Sequence, residues 1–214
     1  LNAIAPDSAP RASSAISDIR RLIGEVFDAG RAYTSGGAVY FAAGESPALG
    51  ALSGLDRDAM LGLAALRGGN IDDPAKRDPL DFVLWQPSAA DEPAWDSPWG
   101  PGRPGWHIEC SALVLRELGE TIDIHGGGAD LIYPHHECET LQSEAATGSS
   151  FARYWMHAAL VSMDGEKMSK SLGNLVFIDR LRAEWEPVVI RAGITTHHYR
   201  TEWEWDDGLM ARSA

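Results

Sequence analysis

Trp106-His107-Ile108-Glu109-Cys110, His125-Gly126-Gly127-Gly128-Ala129-Asp130, Pro134-His135-His136-Glu137-Cys138-Glu139 and Lys167-Met168-Ser169-Lys170-Ser171 all fall between Trp106 and Asn174. A thiol, imidazoles and carboxylates suit a metal ion, whereas a glycine run after a strand and a lysine-serine loop suit a nucleotide. Both sets in one short stretch point to an enzyme that joins the two chemistries.

The elements around this stretch set the fold class. Thr121–His125 alternates like a strand and feeds the turn expected at Gly126–Gly128, while His135–Ala146 has helical character. Ile108–Leu118 reads as a short strand passing into a helix, Tyr154–Val161 as another strand, and Pro187–His198 as a further helix. Upstream, Ile16, Ile19, Leu22, Ile23 and Val26 recur at helical spacing, with Ser14 or Ser17 as the cap and Gly30 as the stop. Ala38–Phe41 follows a Gly36-Gly37 turn as a strand, and Asp56–Arg67 reads as a helix. Strands alternating with helices predict an α/β fold with a mostly parallel sheet, flanking helices and sites at the carboxyl ends of strands. Asp72–Gly105 is dense in Pro, Gly, Asp and Trp and reads mostly as ordered loop. It either folds over a small ligand or is a surface loop pinned by its tryptophans.

The chain has 214 residues, with 18 basic and 31 acidic side chains for a net charge of −13. That balance argues against a general nucleic-acid-binding surface. Two cysteines make no disulfide framework, and no apolar run reaches membrane-spanning length, so a reduced, cytoplasmic protein is expected. The chain opens on Leu1, and Asn2–Arg11 reads as mid-chain loop, so a fragment or processed chain is expected.

His135 and Glu139 are four residues apart, which places both side chains on one face of a helix. With Cys110 from a different element they form a ligand set suited to Zn²⁺. Three protein ligands and an open position let a substrate thiolate bind directly, because zinc deprotonates a coordinating thiol. Taken singly, each residue also fits a buried free cysteine beside a helix with solvated His and Glu. Cys138, three residues after His135, is a further candidate ligand. The glycines before Asp130 allow close backbone approach to a ligand, and Asp130 suits a ribose hydroxyl or an ammonium, although turn-making alone also explains a short glycine run. Lys167, Ser169, Lys170 and Ser171 sit in a loop bounded by Gly165 and Gly173. There two ammonium groups can neutralise charge building on a triphosphate during displacement, and the glycines permit closure.

Lys167–Ser171 matches the KMSKS signature of class I aminoacyl-tRNA synthetases. Pro101–Cys110 with Pro134–Glu137 resembles cysteinyl-tRNA synthetase and, equally, its sister, the cysteine ligase of mycothiol biosynthesis. The resemblance covers nearly the whole chain. It implies a partial Rossmann-like class I catalytic domain over residues 1–185, with an inserted connective region, and the start of a helical stem over 186–214. It also implies Zn²⁺ on Cys110, His135 and Glu139, gripping the thiolate of L-cysteine and so rejecting serine, with Trp106 lining the amino-acid pocket. Gly126, Gly127, Gly128 and Asp130 would lie near the substrate ammonium and the ribose. Lys167 and Lys170, in the loop with Ser169 and Ser171, would stabilise the pyrophosphate leaving group of ATP, which enters with Mg²⁺. The implied reaction is formation of cysteinyl-adenylate, then transfer to glucosaminyl-inositol or to tRNA.

Glu139, Gln142–Ala145 and Phe151–His157 are synthetase-like. Ser53–Asp56, Arg67–Gly69, Lys76–Asp81, Asn174–Phe177, His197–Arg200 and Trp203–Trp205 resemble the mycothiol ligase, and with the acidic charge they tip the expectation to the small acceptor. The family's HIGH motif and another zinc-ligating cysteine belong to a first half that these residues do not contain. Either a longer or second polypeptide supplies that half, or the chain is a non-catalytic relative in which Cys138 becomes the fourth ligand.

Overall fold

Ile16, Ile19, Leu22, Ile23 and Val26 form the buried face of helix α1 (Ile16–Asp28). Ile19, Leu22, Ile23 and Val26 are fully buried, and each such side chain is worth roughly 1.5–3 kcal/mol of apolar burial. Gly30, at φ +70°, ends the helix as expected, and the Arg31 N–H reaches back to the Val26 carbonyl at 3.0 Å. Neither serine caps the other end. Ala15 holds that position, and the Ser14 hydroxyl donates instead to the Arg11 carbonyl at 2.7 Å.

The computed structural model describes residues 1–170, 172–206 and 208–214. They form two compact units, a larger one of Ser8–His125 with Leu131–Trp155 and a smaller one of Leu1–Asp7, Gly126–Asp130 and Met156–Ala214. Among the described residues no helix is long and apolar enough to cross a membrane.

In the larger unit, β1 (Ala32–Ser35), β2 (Ala38–Phe41), β3 (Phe82–Gln86) and β4 (Arg103–Pro104) form one sheet in that order, with antiparallel neighbours throughout. Gly36 and Gly37, at φ +57° and +81°, make the two-residue turn that a β1–β2 hairpin requires. This antiparallel sheet is an addition to the parallel arrangement expected from alternating strands and helices. Its third strand arises from Phe82-Val83-Leu84-Trp85, an apolar run inside the segment read mostly as loop. Helix α2 (Arg57–Leu66) lies between β2 and β3 in the chain, and the Asp56 carboxylate caps it by accepting from the Ala59 N–H at 2.9 Å.

Helix α3 (Trp106–Leu118) is helical from its first residue, so the short strand expected at Ile108 is instead helix, and the strand before it, β4, ends at Pro104. The helix packs with α1 and with α4 (Glu137–Thr147) around one apolar core containing Ile108, Ala112, Leu141 and Phe41. Strand β5 (Ile122–Gly128) pairs with β6 (Ala152–Ala158), and α4 is the crossover between them. The Ile122 N–H donates to Phe151 and Gly126 lies against the Met156 carbonyl, so the two strands advance together, in parallel. The glycines 126–128 are thus extended strand rather than turn.

In the smaller unit, β7 (Val161–Met163) pairs antiparallel with β8 (Glu166–Lys167) and parallel with β9 (Trp203–Glu204). Helices α5 (Ile178–Glu184), α6 (Pro187–Thr195) and α7 (Leu209–Ser213) complete it. Ile190, Leu209 and Met210 form its core against Trp185, Trp203 and Trp205.

One buried carboxylate ties the antiparallel sheet to the loop that follows α2. Asp81 is 2% exposed and accepts from the Tyr33 hydroxyl (2.7 Å), the Gly44 N–H (3.0 Å) and the Asp78 N–H (3.1 Å). Burial, with this carboxylate beside it, holds the Tyr33 phenol above its usual range, so it stays a donor. Asp81→Ala should therefore cost about 2–3 kcal/mol of stability, seen as a lowered urea midpoint. A midpoint within error of wild type would show that water replaces the carboxylate without loss.

Candidate metal centre and lysine loop

Gly105 sets the start of α3 close against β3, because a Cβ there would run into the Val83 carbonyl. Trp106 and His107 therefore sit beside the sheet, with the His107 ring edge-on to Phe82 at 5.6 Å. Cys110 follows one turn later, on a helix rather than at a strand end. His135 and His136 lie in a wider turn, Ile132–His136, that leads into α4, yet the four-residue spacing still brings His135 Nε2 to 3.1 Å from Glu139 Oε1. Buried polar side chains fix α3 against α4. The Gln142 amide donates to the His107 carbonyl and to the Ser111 hydroxyl, both at 2.7 Å.

Ligand atoms of Cys110, His135 and Glu139 all lie within 4.8 Å of one another, as do those of His125, His136 and Glu139. Glu139 is fully buried and belongs to both trios. His125 Nε2 is 2.9 Å from its Oε2, on the other oxygen from His135. The Glu139 oxygens thus converge with a thiol and imidazoles inside a buried site, and the set matches the ligands that Zn²⁺ prefers. The residues fit the ion.

The charges around the centre lead to the same conclusion. Burial alone would raise the Glu139 carboxyl, but the two imidazoles outweigh it and lower it to about 2. Burial, with the Glu139 and Glu109 carboxylates, pushes the Cys110 thiol up to about 12. Burial, with His135 beside it, lowers the His107 imidazole to about 3, so it is neutral. A thiolate at Cys110 therefore requires a cation next to it.

Trp106 is 53% exposed, and its ring stacks on His135 with centroids 4.3 Å apart. Cys138 joins neither trio. It is buried in the core with Leu141, and among the described residues its sulfur is grouped with neither set of ligand atoms. Sequence reading left out the second trio, although His125 and His136 were both visible beside the predicted ligands. His125 lies within the strand expected at Thr121–His125, and it is the fold that brings its ring to Glu139.

The remaining predicted residues lie in the smaller unit. The Lys167 ammonium pairs with the Asp130 carboxylate. Asn174 closes the loop on itself, accepting from the Ser169 N–H at 2.8 Å and donating to the Lys167 carbonyl at 3.2 Å. Gly165 and Gly173, at φ +77° and +69°, bound it as expected. Lys170 is exposed, Gly126, Gly127 and Gly128 form the end of β5, and Ser171 lies outside the described residues.

All of residues 1–214 match the family model described as "tRNA synthetases class I (C) catalytic domain". The chain belongs to this family. It is 48% identical over 211 residues to the L-cysteine:1D-myo-inositol 2-amino-2-deoxy-alpha-D-glucopyranoside ligase of Nocardiopsis dassonvillei, covering 98% of this chain and 52% of that protein. To the cysteine–tRNA ligase of Picosynechococcus sp. it is 50% identical over 205 residues, covering 95% of this chain and 43% of that protein. The chain therefore spans about half the length of the curated relatives it matches. Among solved structures, Mycobacterium tuberculosis methionyl-tRNA synthetase with methionyl-adenylate matches with a TM-score of 0.68 at 16% identity, covering 98% of this chain and 51% of that one. At that identity the likeness speaks for the class I catalytic fold alone.

Cobalt(II) offered to this synthetase-family chain should give an intense near-ultraviolet sulfur-to-metal band that Cys110→Ser abolishes and Cys138→Ser leaves in place. A band that survives in Cys110→Ser would move the metal away from this centre.

Proposed function

We propose that the protein is the metal-binding and lysine-loop part of an ATP-dependent cysteine ligase. It activates L-cysteine as cysteinyl-adenylate and passes the acyl group to glucosaminyl-inositol. The observation that carries this reading is the meeting of Cys110, His135 and Glu139 around one point beside the half-exposed Trp106 ring. Zn²⁺ held there would supply a soft Lewis acid for the substrate sulfur, which separates cysteine from serine better than an apolar pocket can. Trp106 covers the side of that pocket, and neutral His107 adds no charge to compete for the sulfur. Asp130 is suited to hold the substrate ammonium or the ribose, next to the strand glycines 126–128.

Lys167 and Lys170 act on the other reactant. Their ammonium groups offset charge that grows on the pyrophosphate as the cysteine carboxylate attacks the α-phosphorus of MgATP, with Ser169 and Ser171 in the same loop. Lys167 is held meanwhile by Asp130, so nucleotide binding exchanges one anionic partner for another. We read residues 1–185 as part of the catalytic domain with its inserted region and 186–214 as the beginning of a helical stem.

The net charge of −13 supports a small acceptor over a polyanion. A cysteinyl-tRNA synthetase is the second reading, favoured by the carboxylate at Glu139 and by relatives of that name at equal identity.

Cysteine-dependent ATP–pyrophosphate exchange tests the reading, measured on the 214-residue chain and on that chain supplemented with the remaining half of a curated relative. Lys167→Ala and Lys170→Ala should each lower kcat about 100-fold with little change in the KM for cysteine. Absence of exchange in both preparations would instead mark a protein that binds without activating.

A further inference from the structure

Each oxygen of Glu139 has its own imidazole. His135 Nε2 lies 3.1 Å from Oε1, and His125 Nε2 lies 2.9 Å from Oε2. The two rings are not equivalent. His135 and Glu139 share one helical turn and group with the Cys110 thiol, so all three can serve a single ion. His125 comes from β5, and among the described residues it groups with His136 and Glu139 but not with Cys110.

The His125 ring is boxed in. His136 and Trp155 stand edge-on to it, with centroids 4.5 and 5.0 Å away, and Phe151 lies at 5.3 Å. Phe151 is fully buried, and its carbonyl accepts from the Ile122 N–H at 3.0 Å, which fixes β5 beside it. The His125 side chain is 13% exposed, and these neighbours leave it no room to swing away from Oε2. With its proton on Nε2 it donates to that oxygen and to no other group of the centre.

We propose that His125 is the positioning residue of the metal centre: it keeps Oε2 as a hydrogen-bond acceptor and so presents only Oε1 to the ion. This rests on the metal reading given under Proposed function. A carboxylate can bind a divalent cation through one oxygen or through both. With Cys110, His135 and a single oxygen, the ion has three protein ligands and an open position for the substrate sulfur. With both oxygens released, the same carboxylate would fill that position itself. His125 thus governs cysteine binding through Glu139 while touching neither ion nor substrate. Partners of this kind, hydrogen-bonded to a ligating group, are typically worth 10–100-fold in metal affinity or activity. The competing use of His125 is as a ligand of a second ion, with His136 and Glu139. That ion would share the one carboxylate with the first and set two dications side by side in a buried site, which desolvation opposes.

Cobalt(II) titration of the 214-residue chain, followed in the visible region as well as at the sulfur-to-metal band, tests the role without requiring catalysis. Wild type should bind one cobalt with the intense visible absorption of a four-coordinate ion, and L-cysteine should perturb that spectrum. His125→Leu fills the space of the ring without offering a donor. It should keep the sulfur-to-metal band, lose most of the visible intensity as the coordination number rises, and need at least about tenfold more cysteine for the same perturbation. His125→Gln, whose amide reaches as far as the ring Nε2, should restore both. His125→Asn, whose amide falls short, should behave as His125→Leu and replaces it if the leucine variant does not fold. A visible spectrum and cysteine response unchanged in His125→Leu and His125→Asn, with the sulfur-to-metal band present, would overturn the positioning role and leave the metal centre standing. Two cobalt ions per wild-type chain, falling to one in His125→Leu, would make His125 a ligand and overturn it as well. No sulfur-to-metal band in wild type would reject the metal reading and this inference with it.

Discussion

A carboxylate sealed from water and shared by two imidazoles is the constraint on which the larger unit depends. An isolated buried charge costs several kcal/mol, so Glu139 has to be surrounded by groups that favour its ionised form. His125 and His135 supply that from opposite sides, at 2.9 and 3.1 Å. They come from β5 and from the turn before α4. Strand, turn and helix must therefore all be in register before the charge is tolerable. The Cys110 thiol on α3 then closes the group. The same carboxylate that needs cationic neighbours makes the thiol harder to ionise, a conflict that a divalent ion at the centre resolves for both.

The scaffold is built to hold that register. Gln142 and Ser111, both fully buried, bridge α3 and α4 one turn away from the centre. Glu137, also buried, turns the other way and accepts from the Gly50, Leu52 and Ser53 N–H groups, at 3.0, 3.4 and 2.9 Å. The first turn of α4 thus directs two acids to opposite tasks, with Glu137 organising a loop and Glu139 the centre. Side chains two apart on a helix point away from each other, which is why both can be buried so close in sequence.

Much of this was legible in the residues, and what was missed has physical causes. The 3.6-residue period of α1 and the i,i+4 pair His135–Glu139 follow from local geometry and needed no tertiary information. Phe82–Gln86 was read mostly as loop because its flanks are rich in Pro and Asp. Its strand character comes from pairing with β2, a contact more than forty residues away in the chain. Gly126–Gly128 was taken for a turn, since glycine is weak in strands, but β6 holds that segment extended. His107, His125 and His136 belong to the centre only through packing. A histidine carries no sign in sequence of whether its ring faces a core, a ligand or water.

The two cysteines show why position on a helix decides chemistry more than residue type does. Cys110 and Cys138 lie on neighbouring helices, and burial raises both thiols. Cys138 looks onto a cavity of the larger unit rather than the imidazoles and has no group that would favour its thiolate except distant Lys76. It acts as a small apolar side chain between core and cavity. On the proposed reading a metal at Cys110 would separate sulfur from oxygen by bond type, whereas Cys138, buried among apolar side chains, has no such partner.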